Sequence, residues 1–210
     1  VDMVPVDLVL AIVDSSNLRR NLYLVSQLLE LELPLVVALN MSDVAQARDI
    51  HIDADQLALE LGAPVVPICA HRRQGLEALK QTLAAALGGK YASTPHSRPD
   101  LPAALKQQIA QLVDLTGKSG QPLSAIEALH VLVDEEGPAE QRLVAARGPE
   151  FAGQLAQLRR ATGLPVPLSA QVTQLRYRWI DQLLARCVRQ PAHLHTSRSD
   201  RLDRILTHRV

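Results

Sequence analysis

The feature that most constrains the fold is an alternation that repeats through the first 90 residues: a short aliphatic run, a polar residue, then a stretch with helical apolar spacing. Asp7 to Val13 reads Asp-Leu-Val-Leu-Ala-Ile-Val and ends at Asp14, and Leu35 to Leu39 reads Leu-Val-Val-Ala-Leu and ends at Asn40. Runs that are apolar at every position are strands buried on both faces, the habit of parallel sheets. A third run, Val65 to Cys69, contains Pro67, which cannot donate to a ladder and predicts a short or irregular strand. Between the runs, Leu18, Leu22, Val25 and Leu29 share one helical face, Leu57 to Leu61 is stopped by Gly62, and Leu76, Leu79, Leu83 and Leu87 are stopped by Gly88. Strand, helix, strand, helix, strand, helix predicts a three-stranded parallel sheet with crossover helices.

The rest of the chain has helical spacing almost throughout. A stretch rich in Gly, Ser, Pro and Thr separates the two parts. Beyond it, one helix carries Leu105, Ile109 and Leu112. Ser124 and Glu127 form a capping box ahead of Ile126, Leu129 and Val133. Phe151, Leu155 and Leu158 mark a third helix, closed by Gly163. The longest starts at Ser169, faces inward through Val172, Leu175, Trp179, Leu183 and Cys187, and stops before Pro191. A last short helix covers Asp200 to Thr207. The expected fold class is thus α/β followed by an all-α bundle, with an α/β part at 1–88, a linker at 89–101, a helical domain at 102–198 and a terminal helix at 199–210.

Composition narrows the functional classes. Hydrophobic residues make up 47% of 210, enough for a core, while aromatics are only 2%, too few for a base-stacking platform. No apolar run reaches the roughly 18–20 residues that span a bilayer. Cys69 and Cys187 form no Cys-x-x-Cys clamp, so neither a zinc framework nor a disulfide framework is indicated. The 22 basic and 22 acidic residues cancel overall but not locally. Residues 1–90 hold 7 Lys and Arg against 11 Asp and Glu, whereas 156–210 hold 10 against 3. A basic end is a solvated face, a nucleic-acid contact, or a segment on the cytoplasmic side of a membrane.

In an open α/β sheet, ligands bind beyond the carboxyl ends of the strands. Those positions here are Asp14 to Asn17, Asn40 to Asp43 and Cys69 to His71. Asn40-Met41-Ser42-Asp43 is an Asn-x-x-Asp set at a strand end. A carboxylate there can accept two parallel hydrogen bonds from the N1 and N2 donors of guanine, a pair that adenine lacks. Asn40 can brace the loop, and the stem of Met41 can cover one face of the ring. By residue type alone Asp43 is equally well a helix N-cap. The next strand ends in Cys69-Ala70-His71, similar to the Ser-Ala-Lys loop of regulatory GTPases, in which a backbone N–H, here that of Ala70, reaches guanine O6. Cys69 and His71 depart from that pattern.

The stretches Val13-Asp14-Ser15-Ser16-Asn17-Leu18-Arg19-Arg20-Asn21-Leu22-Tyr23-Leu24, Gln27-Leu28-Leu29-Glu30 and Val37-Ala38-Leu39-Asn40-Met41-Ser42-Asp43 closely resemble the G domain of the bacterial ferrous iron transport protein B family. The end, Asp200-Arg201-Leu202-Asp203-Arg204-Ile205-Leu206-Thr207-His208-Arg209, is similar to the segment that precedes that family's first membrane helix. The resemblance implies a partial P-loop-GTPase-like sheet followed by the family's helical domain, with 199–210 as a membrane-proximal helix. It implies the cytosolic region of an Fe2+ transporter, on the cytoplasmic side of the bacterial inner membrane, in which GTP binding and hydrolysis are coupled to iron uptake. Guanine-binding residues would be Asn40, Met41, Asp43, Cys69 and Ala70. GTP or GDP would be the ligand and Fe2+ the transported ion, and no nucleic acid is expected.

The catalytic elements of such a GTPase do not occur in this sequence. There is no Gly-x-x-x-x-Gly-Lys-Ser/Thr phosphate loop. Thr116-Gly117-Lys118-Ser119 has Leu at position 112 where the loop needs Gly, and reads as a helix stop. Asp134-Glu135-Glu136-Gly137 likewise reads as a helix end. The chain by itself is therefore expected to be inactive, with no catalytic and no metal residues. Mg2+ is expected only with an N-terminal half of the G domain, which, together with a C-terminal transmembrane domain, is an expected partner. His193-x-His195 reads as a solvated loop and His130 as a packed or surface residue. Two other classes compete: a ribosome- or RNA-associated GTPase with a basic helical module, and an interaction module that binds no nucleotide.

Overall fold

The structure, a computed structural model, describes residues 6–31, 33–89, 99–118, 120, 122–160 and 167–190. Its contacts divide the chain into two compact units, with boundaries at 97/98 and 180/181.

The first unit begins with β1 (Val9–Asp14), α1 (Leu18–Leu28), β2 (Leu35–Asn40), α2 (Ser42–Ala47), β3 (His51–Ile52), α3 (Ala54–Leu61), β4 (Val65–Pro67) and α4 (Leu76–Leu87). β1, β2 and β4 form a parallel sheet with β2 in the middle, in register from Val9 opposite Leu35 to Asp14 opposite Asn40. The central position explains the composition of β2: Leu35 to Leu39 are all buried. Ala38, Val66, Ile68, Leu79 and Ala86 pack around Val36. The α1 stripe is also as read, with Leu18, Leu22, Val25 and Leu29 buried.

Pro67 does end its strand early, at three residues, and Cys69 pairs with Gln74 across the following turn. Gly62 caps α3 in the left-handed conformation, φ 64°. Gly75, φ +75°, precedes α4, and a Cβ there would overlap the Pro67 carbonyl oxygen. The turn after β4 thus closes only around glycine.

β1 alternates, with Ala11 and Val13 buried while Leu10 and Ile12 are exposed, Ile12 at 62%. One face of this strand is uncovered among the described residues.

The second unit holds α5 (Ala103–Lys118), α6 (Ala125–Val133), α7 (Pro138–Arg147), α8 (Pro149–Arg160) and most of α9 (Leu168–Cys187). Leu105, Leu112, Leu132, Phe151 and Leu155 belong to its core. The Ser124–Glu127 capping box is formed in both directions. Thr116 sits at a helix end, its hydroxyl donating to the Leu112 carbonyl and accepting the Leu123 N–H. Asp134 follows the last turn of α6. α7 packs Ala139, Leu143 and Val144, only partly covered, against this core, and none of its residues is fully buried, so its apolar spacing is weak.

Residues 181–190 return to the first unit. α9 does not run on to Pro191: it ends at Cys187, and β5 (Val188–Arg189) pairs antiparallel with β3. The Asp53 N–H donates to the Cys187 carbonyl, and Arg186 meets Glu60 at 2.9 Å. The expected helix at Asp200 to Thr207, His193-x-His195 and the Gly163 stop lie outside the described residues.

Candidate functional site

The parallel sheet places Asp14, Asn40 and the turn after β4 on one edge, because β1, β2 and β4 all point the same way. Asp14 is occupied locally: its Oδ1 accepts both the N–H and the hydroxyl of Ser16 at 2.8 Å. The other two loops are joined to each other. Asn40 Oδ1 accepts the Ala70 N–H at 3.1 Å, and the Ser42 hydroxyl donates to the Ile68 carbonyl at 2.9 Å. Between these ties Met41 adopts the left-handed conformation, φ 59°, ψ 32°, which turns the chain sharply from strand into α2. A non-glycine residue there carries a steric cost, and such outliers gather where a ligand site requires them.

Asp43 lies in the first turn of α2, facing the second loop. Met41, not Asp43, occupies the N-cap position, and Met41 makes no side-chain cap bond. Asp43 Oδ1 is buried without a hydrogen-bond partner among the described residues. Its Oδ2 stands 3.5 Å from His71 Nε2 and 3.5 Å from Arg72 Nη2. Burial raises the Asp43 carboxyl pKa, but the Cys69 thiol, the His71 and Arg72 charges and the Val44 N–H together hold it below its ordinary value. Cys69 responds in the opposite sense: burial and its hydrogen bond to Asp43 push the thiol up. Cys69 is 1% exposed, and its Sγ lies 3.4 Å from His71 Nδ1.

The structure thus brings all five expected base-reading positions, Asn40, Met41, Asp43, Cys69 and Ala70, to one edge. Sequence reasoning missed the part played by His71 and Arg72, which cover the Asp43 carboxylate. Their only sequence signal is a basic pair following a strand end. A separate hollow of about 420 Å³ is lined by Ser15 to Arg19, Ile50, Ile52, Asp181 and residues of 184–190, and holds none of the five.

The donor chemistry does not suit Mg2+. That ion requires oxygen ligands in near-octahedral array, whereas Asp43 is accompanied by a thiol and an imidazole and Asp14 Oδ1 is committed to Ser16.

A parallel α/β sheet with an Asn-x-x-Asp loop tied to the next strand-end loop has the form of a P-loop-GTPase-like domain. Residues 3–83 match the family described as "Ferrous iron transport protein B". The Fe(2+) transporter FeoB of Salmonella typhimurium is 55% identical over 74 residues, 35% of this chain and 10% of that protein. The chain therefore spans about a tenth of the length of the curated relatives it matches. Among solved structures, the cytosolic domain of L. pneumophila FeoB superposes with TM-score 0.71 at 28% identity, covering 89% of this chain and 70% of that one. A GDP-bound mutant of S. thermophilus NFeoB superposes with TM-score 0.69 at 27% identity, covering 84% and 67%.

Proposed function

We propose that this chain supplies the guanine-reading side and the helical domain of the cytosolic region of a ferrous iron transporter, in which GTP binding and hydrolysis are coupled to Fe2+ uptake. The observation that carries the reading is the Asn40–Ala70 hydrogen bond. It holds the carboxylate of Asp43 and the peptide edge of Ala70 in one assembly, the pair needed to meet guanine N1, N2 and O6. Asp43 takes the N1 and N2 donors, the Ala70 N–H leaves the Asn40 oxygen for O6 as the base arrives, and Met41 covers a ring face. Cys69 underlies the second loop. GDP bound to a structural relative supports the ligand class.

Asp43 is covered by His71 and Arg72 in this conformation, and both are more than half exposed. An arriving base displaces them into solvent at small cost, since surface ion pairs contribute only about 0–1 kcal/mol. The uncovered face of β1, with Leu10 and Ile12 outward, supports pairing with the phosphate-binding half of a G domain. That half would bring the phosphate and magnesium elements. Domain limits of 1–88 for the G-domain part and 102–198 for the helical part accompany this reading, with residues 181–190 of the latter packing in the first compact unit and the whole on the cytoplasmic side of the inner membrane. No described helix is long and apolar enough to cross a membrane.

The test is Asp43→Asn in the full-length protein, with GDP and xanthosine diphosphate titrated side by side. The amide offers a donor to xanthine O2 and loses the paired acceptor for guanine. GDP affinity should fall at least about tenfold and preference should move toward xanthine, in line with the cost of an unmade hydrogen bond to a charged group. Unchanged preference would remove Asp43 from base reading.

A further inference from the structure

We propose that Asp43, Cys69 and His71 form a binding site for a borderline divalent transition-metal ion, of the zinc or ferrous class, and that this ion and a guanine base exclude one another at Asp43. The second half rests on the base-reading role proposed above; the first does not.

Three different donors converge here: a carboxylate oxygen, a thiol sulfur and an imidazole nitrogen, all within 4.8 Å of one another. His71 Nε2 lies 3.9 Å from Cys69 Sγ and 3.5 Å from Asp43 Oδ2. Ligand atoms on a tetrahedral ion with ordinary metal–sulfur, metal–nitrogen and metal–oxygen bonds stand about 3.4–3.6 Å apart, so a small ring movement suffices. His71 is free to make it, its side chain being 63% exposed. The other two donors are held in place: Cys69 is buried between the Gln74 pairing and the Arg72 N–H, and Asp43 follows the Ser42–Ile68 tie. Three protein ligands leave a fourth position to solvent, as in open metal sites.

The donor set selects the ion. Thiolate and imidazole favour zinc, ferrous or cobaltous ions over magnesium or calcium. On binding, the Cys69 S–H bond gives way to a metal–sulfur bond and the proton leaves to solvent, with no change of oxidation state. The Arg72 guanidinium, 3.5 Å from the same carboxylate oxygen and 58% exposed, swings away as the positive ion arrives. The ion then occupies the acceptor that guanine N1 and N2 require. A metal-loaded loop cannot read the base, so rising metal releases nucleotide.

Cobalt titration of the chain, followed by absorbance, tests the site. One equivalent of Co2+ should give a thiolate charge-transfer band and tetrahedral d–d bands, displaced by Zn2+ and unaffected by Mg2+. Cys69→Ser should abolish the charge-transfer band. His71→Ala, at an exposed side chain that does not threaten the fold, should weaken cobalt binding at least tenfold. No thiolate band, or a band that both variants leave intact, would overturn the site. For exclusion, GDP affinity of the full-length protein is measured with and without Zn2+ in the native sequence and in Cys69→Ser, so that chelation of zinc by the nucleotide cancels. Zinc should weaken GDP at least tenfold more in the native protein, and an equal effect in both would overturn the exclusion. A cobalt site that persists while Asp43→Asn leaves base preference unchanged would sink the base-reading role and the exclusion, but not the metal site.

Discussion

The side-chain oxygen of Asn40 accepts the backbone N–H of Ala70 at 3.1 Å, across thirty positions of sequence, and so joins the loop after β2 to the loop after β4. Two strand ends that are neighbours only because β2 pairs with β4 become one rigid edge.

Replacing Asn40 by Ala should lower stability by about 1 kcal/mol, the usual net worth of a hydrogen bond. It should also weaken guanine nucleotide without moving preference toward xanthine, because Asp43 is untouched. Asn40→Asp keeps the acceptor and should keep the stability. Denaturant midpoints and nucleotide titrations read both; a shift in preference with Asn40→Ala would mean that Asn40 itself reads the base.

Gly75→Ala should be among the most damaging single-methyl additions, costing at least about 2 kcal/mol. The residue has φ +75° and its new Cβ would press on the Pro67 carbonyl. Thermal unfolding of the variant measures it, and a loss below about 0.5 kcal/mol would show that the turn can relax.

In the helical unit, Arg159 joins Glu140 through both carboxylate oxygens and donates to the Val131 and Leu132 carbonyls near the end of α6. Both side chains of the pair are 14% exposed. Arg159 holds the Glu140 carboxyl below its ordinary value. A carboxyl depressed in the folded state stabilises fully above its unfolded pKa, near 4.5, and loses that contribution as pH falls through the lower folded value. Glu140→Gln should therefore be less stable than the native chain at pH 7, and the gap should narrow as pH falls below about 4.5. A gap that stays constant between pH 7 and pH 3 would assign the effect to packing.

The outward apolar side chains of β1 predict self-association of the chain. Ile12→Glu, at a 62% exposed position, should shift sedimentation toward monomer with little change in stability. Loss of folding in this variant would show that Ile12 is covered in solution.

Much of the α/β part is legible because its signals are local. β1 and β2 are aliphatic runs, α1 and α4 carry apolar stripes, and Gly62 and the Ser124–Glu127 box mark a helix end and a helix start. The Asn40 to Asp43 set announces itself by residue type and by its place at a strand end. β3 and β5 do not: each is two residues long, and they pair from opposite parts of the chain. α7 has no fully buried residue to betray it, its Ala139, Leu143 and Val144 being only partly covered.

The sequence by itself determined the main strands and helices and marked two strand ends as candidates for chemistry, since those depend on spacings of a few residues. Tertiary structure alone decided that His71 and Arg72 cover Asp43, that Cys69 joins them, and that the end of α9 returns to pair beside β3. Each of these comes from strand order and side-chain packing across long stretches of chain, for which no local pattern exists.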